Sequence, residues 1–112
     1  MKNYFETINI DWVLIIEFNN NIDQEKIESV FRQIESVSEN PYTIIDLWNI
    51  NYINSTFIGY LYHIYDTRNN AWNHTYICNA CQKILDPLNL TWVLDIIPYF
   101  KNKEDAIKKT KK

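Results

Sequence analysis

Glycine is nearly absent from this 112-residue chain, which has one glycine, three prolines and two cysteines. The glycine-rich loops with which many enzymes cradle phosphate groups are therefore excluded. Turns that need a left-handed backbone must rely on asparagine, because its short polar side chain tolerates that conformation better than most. The sequence also has no nucleophile elbow and no evident acid–base pair. We therefore expect a protein that is not an enzyme.

Long apolar runs are missing as well, and none approaches the ~20 residues that span a membrane. The first residues lack the apolar segment of a secretory signal, so we expect a cytoplasmic protein without a membrane span. The two histidines, His63 and His74, have no paired spacing with each other or with the cysteines. We therefore expect no metal site and no cofactor.

Basic residues are scarce except at the end of the chain. Residues 1–100 hold five basic and twelve acidic side chains, whereas the last twelve residues hold six basic and two acidic ones. An acidic body argues against nucleic acid as a partner. We interpret the basic tail, 108–112, as a solvated chain end. Length and composition predict a single domain over 1–112, with a core at about 4–109.

The first part of the chain predicts a hairpin and then a helix. Strands are expected at 4–10 and 12–18, joined by a tight antiparallel turn, and the second is apolar enough for burial on both faces. Apolar residues then recur at three- and four-residue steps from Ile27 to Val37, which predicts an amphipathic helix. We expect Asp23 to be its N-cap and the helix to end near Asn40.

The rest of the chain alternates strands and helices. Strands are predicted at 43–47 and 75–79 and around Pro98 at the sheet edge, and helices from Ser55 to about 70, after Asn79 and over 103–109. A further turn is expected at 90–94. We expect the asparagines at three helix ends to be caps: Asn79, Asn89 and Asn102. The order β-β-α-β-α-β-α-β-α predicts an α/β domain with a mixed sheet.

The central stretch, 43–59, combines a buried strand, a polar loop and a helix start. Asn54 and Ser55 stand where helix N-caps belong. Gly59 lies one turn into the helix, where glycine costs about 1 kcal/mol relative to alanine. We expect a packing reason for this glycine.

The segment 53–59 resembles the central motif of the STAS domain, the fold of bacterial anti-sigma factor antagonists. That motif reads roughly Asp-Ser-Ser/Thr-Gly-Leu-Gly, and a partner kinase phosphorylates its first serine. Ser55 matches the phosphoacceptor and Thr56 the hydroxyl residue that follows it. Ile58 and Gly59 match the leucine and the second glycine. The order of elements over residues 4–109 is also similar to that of the family.

Two positions depart from the family motif, since Asn54 replaces the aspartate and Phe57 the first glycine. The resemblance implies a STAS-like mixed sheet with an N-terminal antiparallel hairpin and helices mainly on one side. It implies a regulatory module, monomeric or weakly dimeric, that binds a kinase-type anti-sigma factor and is released by phosphorylation of Ser55. The implied contact residues are those around the motif: Asn54, Ser55, Thr56, Phe57, Ile58 and Tyr60.

Three alternatives stay open at this stage. Ser55 is a plain N-cap in one of them, and the chain is then a non-phosphorylated STAS subunit that docks on a transporter or a signalling complex. Cys78 and Cys81 form a Cys-x-x-Cys match, which is typical of thiol oxidoreductases but also of two buried small side chains. The aromatic residues of the second helix and its end are either interface or core residues: Tyr60, Tyr62, Tyr65 and Trp72.

Asp46 ends the central strand, where open α/β sheets place functional groups. It is a candidate for ligand binding. The alternative is that it supports the loop by accepting hydrogen bonds from the backbone N–H groups of Asn49 or Ser55.

Overall fold

The computed structural model describes residues 3–111, which form one five-stranded sheet and its covering helices. The strands lie in the order β1-β2-β3-β4-β5; β1 and β2 are antiparallel and the other pairs are parallel. Their bounds are β1 Phe5–Ile10, β2 Val13–Phe18, β3 Tyr42–Asp46, β4 His74–Cys78 and β5 Tyr99–Phe100. The predicted mixed sheet with an antiparallel hairpin is confirmed.

Five helices connect and follow the strands: α1 Ile27–Val37, α2 Ser55–Asn70, α3 Gln82–Leu90, α4 Val93–Ile96 and α5 Lys103–Thr110. The larger core lies between one face of the sheet and helices α1 to α4. The smaller core lies under α5 on the other face, around the fully buried Ala106. Helices therefore lie mainly on one side, as expected. No helix among residues 3–111 is long and apolar enough to cross a membrane.

The hairpin turn differs from the prediction at Trp12. This residue was expected to begin a strand buried on both faces, but it lies in the two-residue turn with 71% of its surface exposed. Asp11 has a left-handed backbone with φ of 54°. The tight turn needs both residues, so β2 begins one position later, at Val13, and is buried as expected from there.

The start and end of α1 also differ from the prediction. Asp23 makes no capping hydrogen bond with its side chain; its Oδ2 instead accepts a hydrogen bond of 2.7 Å from the Tyr4 hydroxyl. The chain enters α1 through a 3₁₀ turn, Gln24–Lys26. The helix ends at Val37 rather than near Asn40. At this end the Ser38 hydroxyl donates to the carbonyl of Ile34.

Two of the three expected asparagine caps are wrong. Cys81, not Asn79, precedes α3, and Asn79 has a left-handed backbone with φ of 62°. The helix runs past Asn89, and the left-handed residue after it is Trp92. The third cap is confirmed, because Asn102 Oδ1 accepts a hydrogen bond of 2.8 Å from the N–H of Asp105.

The last elements of the chain differ from the prediction only in their bounds. The last strand has two residues, since Ile96 belongs to α4. The predicted turn at 90–94 is this short helix, shifted to Val93–Ile96. Helix α5 continues to Thr110, one residue past its expected end, and it carries Lys108 and Lys109, which are exposed to solvent as expected. Lys112 lies outside the described residues.

Arg68 of α2 joins the elements at the amino end of the parallel strands. Its guanidinium is buried and donates to the hydroxyl of Thr75 and to the carbonyls of Ser38, Asn40 and His74, at 2.6 to 2.9 Å. Burial lowers the pKa of this group to about 10. One side chain thus connects the loops that precede β3 and β4.

Candidate functional site

The loop between β3 and α2, residues 47–54, carries the site. It leaves the sheet at the carboxyl end of β3, and it is anchored by buried Leu47, Ile50 and Ile53. The N–H of Ile50 donates to the carbonyl of Leu47 at 3.0 Å, which closes a turn. Trp48 and Tyr52 lie between the anchors and are exposed. The loop is therefore anchored at every third residue, while the side chains of Trp48 and Tyr52 face solvent.

Hydrogen bonds from asparagine side chains stabilise this loop, which contains no glycine. Asn21 Oδ1 accepts from the N–H groups of Asn51 and Tyr52, and Asn21 Nδ2 donates to Asn51 Oδ1. Asn49 Nδ2 donates to the carbonyl of Phe18 at 3.2 Å. The loop after β2 and the loop before α2 therefore form one hydrogen-bonded layer above the sheet.

Asn54 is the N-cap of α2. Its backbone is extended, and its Oδ1 accepts a hydrogen bond of 2.9 Å from the N–H of Phe57. Its Nδ2 donates to Gln24 Oε1 of the 3₁₀ turn. Ser55 is therefore the first helical residue and not the cap, which corrects the alternative that made it a plain N-cap. Ser55 and Thr56 are both exposed.

The expected contact residues divide between core and surface. Phe57 and Ile58 are buried, and the Phe57 ring packs against Phe31 with ring centroids 5.1 Å apart. Tyr60 is half-buried and stacks on the same ring. Asn54 is half-buried as well. The accessible surface therefore comes from the other positions, chiefly Ser55 and Thr56, and Phe57 and Ile58 support it from below.

Gly59 has no packing reason, contrary to the expectation. It is exposed, and a Cβ built on its backbone meets no atom within 4 Å. Its φ is not in the left-handed region. Gly59 lies four residues after Ser55, so the two share one face of α2. The missing side chain leaves a shallow surface one helical turn beyond the serine.

Asp46 supports the loop, but through different partners from those expected. Its Oδ1 accepts from the N–H of Trp48 at 2.9 Å, and its carboxylate accepts from Nδ2 of Asn79 at 3.3 Å. Burial raises the pKa of this carboxyl, and the two hydrogen bonds oppose that shift. The Asn79 contact joins residues 33 positions apart. The signal for it in the sequence is an asparagine directly after β4, because asparagine tolerates the left-handed backbone that this turn adopts.

A polar cleft of about 440 Å³ opens beside Asp46 at the carboxyl ends of the strands. Across it, Lys103 Nζ donates to Glu17 Oε2 at 2.8 Å. This hydrogen bond is the main reason that the pKa of Lys103 is raised. Burial opposes the shift, and the nearby carboxylates add to it. Two pairs of side chains that line the cleft are thus joined by hydrogen bonds, Lys103 with Glu17 and Asn79 with Asp46.

The two cysteines lie in different environments. Cys78 is buried in β4, and burial raises the pKa of its thiol to about 12. Cys81 is exposed before α3, and its thiol donates to the carbonyl of Ile50 at 3.7 Å. Oxidoreductase cysteines need a lowered thiol pKa, so this geometry favours two structural side chains. Residues 3–111 contain no cluster of His, Cys, Asp and Glu that would hold a metal ion.

The candidate interface aromatics also divide. Tyr62 and Trp72 are exposed, Trp72 to 91%, whereas Tyr60 and Tyr65 are half-buried against the larger core. The Tyr62 and Tyr65 rings lie 6.4 Å apart. Two of the four thus contribute mainly to the surface.

The fold and this surface define a small α/β domain with an exposed serine at the start of its second helix. The family profile of the STAS domain matches residues 4–106, and the chain belongs to the STAS domain family. A search of curated protein sequences finds no significant match.

Solved structures agree with this family. An anti-sigma factor antagonist from Mycobacterium paratuberculosis has 17% identity and a TM-score of 0.86, with 96% of this chain and 93% of that chain covered. The phosphorylated form of the Bacillus cell fate determinant SpoIIAA has 12% identity and a TM-score of 0.74, covering 96% and 99%. A sulfate transporter family protein from Wolinella succinogenes has 14% identity and a TM-score of 0.79, covering 93% and 88%. At these identities the likeness is one of fold.

Proposed function

We propose that this chain is a cytoplasmic regulatory module of the anti-sigma factor antagonist type, which binds an anti-sigma factor and performs no catalysis. Its contact surface, called here the α2 surface, consists of Asn54, Ser55, Thr56, Gly59 and Tyr60. The observation that carries the proposal is the exposure of Ser55 at the first position of α2, with Gly59 one turn later on the same face. The similarity of the fold to that of SpoIIAA, whose structure is known in a phosphorylated form, supports the proposal.

A phosphate on Ser55 is compatible with the folded domain. The first N–H groups of a helix have no partner within the helix, and here Asn54 satisfies only that of Phe57. A phosphate adds about −1.5 to −2 charges, which the positive end of a helix stabilises. Helix α2 has no acidic residue in its first turn to oppose that charge. The consequence of phosphorylation therefore falls on the partner.

Release follows from the loss of complementarity at the contact surface. A protein that packs closely on the shallow surface between Ser55 and Gly59 has no room for a phosphate. It would also have to desolvate the new charge, which is costly without a matching cation. We propose that the partner is a serine kinase-like anti-sigma factor, which both reads and modifies Ser55.

The second candidate is a docking subunit that is never phosphorylated. The likeness to a sulfate transporter family protein favours it, because the same fold occurs there. In this case the α2 surface binds its partner constitutively, and the hydroxyl of Ser55 has no regulatory role.

The deciding experiment compares wild type, Ser55→Ala and Ser55→Asp as baits, identifies the bound proteins by mass spectrometry and measures each purified pair by calorimetry. Ser36→Asp is the matched control, because Ser36 is an exposed serine near the far end of α1. The proposal requires an anti-sigma factor that binds wild type, Ser55→Ala and Ser36→Asp but binds Ser55→Asp at least tenfold more weakly. Equal binding by all four proteins would favour the docking subunit.

Phosphorylation is tested with the partner identified in this way. Incubation with ATP should add one phosphate to wild type, and peptide mass spectrometry should place it on Ser55. Thr56→Ala should still be modified, whereas Ser55→Ala should not. Modification of Thr56 in the wild type would contradict the assignment of the acceptor.

A further inference from the structure

Strand β1 forms an unpaired edge of the sheet in the part of the chain that the structure describes. It pairs with β2 on one side only, over the six residues Phe5–Ile10. All of its residues after Phe5 are exposed. It therefore offers a strand-length row of backbone hydrogen-bonding groups to solvent.

The register shows which groups face outward. The N–H of Asn19 donates to the carbonyl of Tyr4 at 2.8 Å, so this pair is hydrogen-bonded across the hairpin. Hydrogen-bonded pairs alternate along an antiparallel ladder, which assigns Glu6, Ile8 and Ile10 to the β2 side. The N–H and C=O groups of Thr7 and Asn9 consequently point away from the sheet.

Natural edge strands are usually protected by lysine, proline or a bulge, and β1 has none of these. Its only charge is Glu6, near its start. Ile8 and Ile10 are each 38% exposed, and they lie opposite Ile15 and Val13, on the face of the sheet that carries the smaller core. At the other edge of the sheet, β5 has two residues and cannot accept a strand of this length.

We propose that β1 pairs antiparallel with β1 of a second copy of this chain. Pairing across a two-fold axis at Ile8 places Thr7 of each copy opposite Asn9 of the other, and their outward backbone groups form hydrogen bonds. The two Ile8 side chains then meet at a non-hydrogen-bonded position, where side chains are closest. Two five-stranded sheets become one sheet of ten strands.

The sequence of β1 is compatible with pairing to a second copy. In this register Glu6 lies opposite Ile10 of the other copy, so the two glutamates do not face each other. The pairing is self-complementary, as a two-fold interface requires. Because β5 is too short to pair, the association closes at two copies. The surface is small, so the dimer is expected to be weak and concentration-dependent.

The first test is sedimentation equilibrium of the full chain from micromolar to millimolar concentration. Thr7→Pro removes an outward N–H but leaves the hydrogen bonds to β2 intact, and Thr7→Ala is the control that keeps the donor. Wild type and Thr7→Ala should dimerise alike, and Thr7→Pro should raise the dissociation constant at least tenfold. Ile8→Glu, which puts two like charges on the axis, should do the same and serves if the proline variant does not fold.

The second test is cross-linking at the axis in a Cys81→Ser background, since Cys81 is exposed and Cys78 is buried. Cα atoms of a non-hydrogen-bonded pair lie about 4.5 Å apart, within the range of a disulfide. Ile8→Cys should therefore give a covalent dimer under mild oxidation. Ile10→Cys places the thiols of the two copies about 14 Å apart along the strands and should give little.

A monomer at every concentration would overturn the proposal, as would a dimer that Thr7→Pro and Ile8→Glu leave unchanged. Neither result bears on the α2 surface, because β2 separates β1 from the strand that leads into the site.

Discussion

The side chain of Asn54 caps helix α2 through a hydrogen bond of 2.9 Å to the N–H of Phe57. This contact helps to position the site, because Asn54 is the N-cap and Ser55 is therefore the first helical residue. An asparagine is as effective a cap as the aspartate of the family motif. Asparagine in place of that aspartate therefore keeps the cap at the start of α2 and removes one negative charge beside Ser55.

Removal of this cap should destabilise the domain. We expect Asn54→Ala to lower the free energy of unfolding by about 1 kcal/mol in urea denaturation. Asn54→Asp, which keeps a capping oxygen, should retain most of the stability. Gln24→Ala removes only the contact to Asn54 Nδ2 and is the control, with an expected change within about 0.5 kcal/mol. Equal losses for Gln24→Ala and Asn54→Ala would show that the cap itself contributes little.

Gly59→Ala should change stability and partner binding in opposite directions. A Cβ at this position meets no atom within 4 Å, so the variant should gain about 1 kcal/mol in the free energy of unfolding from its higher helix propensity. The added methyl group lies on the α2 surface and should weaken binding of the partner severalfold in calorimetry. Thr67→Ala, an exposed position near the end of the same helix, is the control for binding. Unchanged affinity in Gly59→Ala would place the contact elsewhere.

Loss of Arg68 should be costly, because four acceptors depend on it. Arg68→Ala leaves the carbonyls of Ser38, Asn40 and His74 without this donor, and we expect a loss of about 3 kcal/mol in chemical denaturation. Arg68→Lys should recover only part of this loss, because an ammonium lacks the planar fork of donors. Full recovery with lysine would show that charge and not geometry is what matters.

Asp46 should make stability depend on pH. Its pKa in the folded state is raised above 3.8, chiefly by burial. Between 3.8 and that raised value the folded state binds more protons than the unfolded state, so this group lowers stability as pH rises through the window. Asp46→Asn should lack this contribution while its side-chain oxygen still accepts from Trp48. Unfolding measured from pH 3.5 to 7, with the exposed Asp66→Asn as control, tests this; identical slopes in wild type and Asp46→Asn would contradict it.

The two cysteines should differ sharply in reactivity. Burial raises the pKa of Cys78 to about 12, whereas the thiol of Cys81 is exposed. Iodoacetamide at pH 8 should therefore modify one thiol in the folded protein and both in urea, as mass spectrometry would show. Cys81→Ser should make the folded protein inert to the reagent. Rapid modification of Cys78 would contradict its burial and revive the redox interpretation.

Much of the fold follows from local patterns. The apolar periodicity from Ile27 to Val37 predicted α1, and the apolar run before Phe18 predicted the buried strand β2. Asn102 was predicted as the cap of α5 because an acidic first turn follows it. These predictions succeeded because helix periodicity, strand length and capping depend on residues within a few positions of each other. The position of Ser55 at a helix start was determined in the same way.

Contacts between distant residues were decided only by the tertiary structure. The burial of Phe57 and Ile58, the open space at Gly59 and the hydrogen bond from Asn79 to Asp46 depend on how α2 and the β4–α3 turn pack. The sequence by itself determined the α/β order, the strand–loop–helix motif and the serine at its helix start. Which of the motif's side chains face solvent was decided by packing, since burial depends on neighbours from the whole chain.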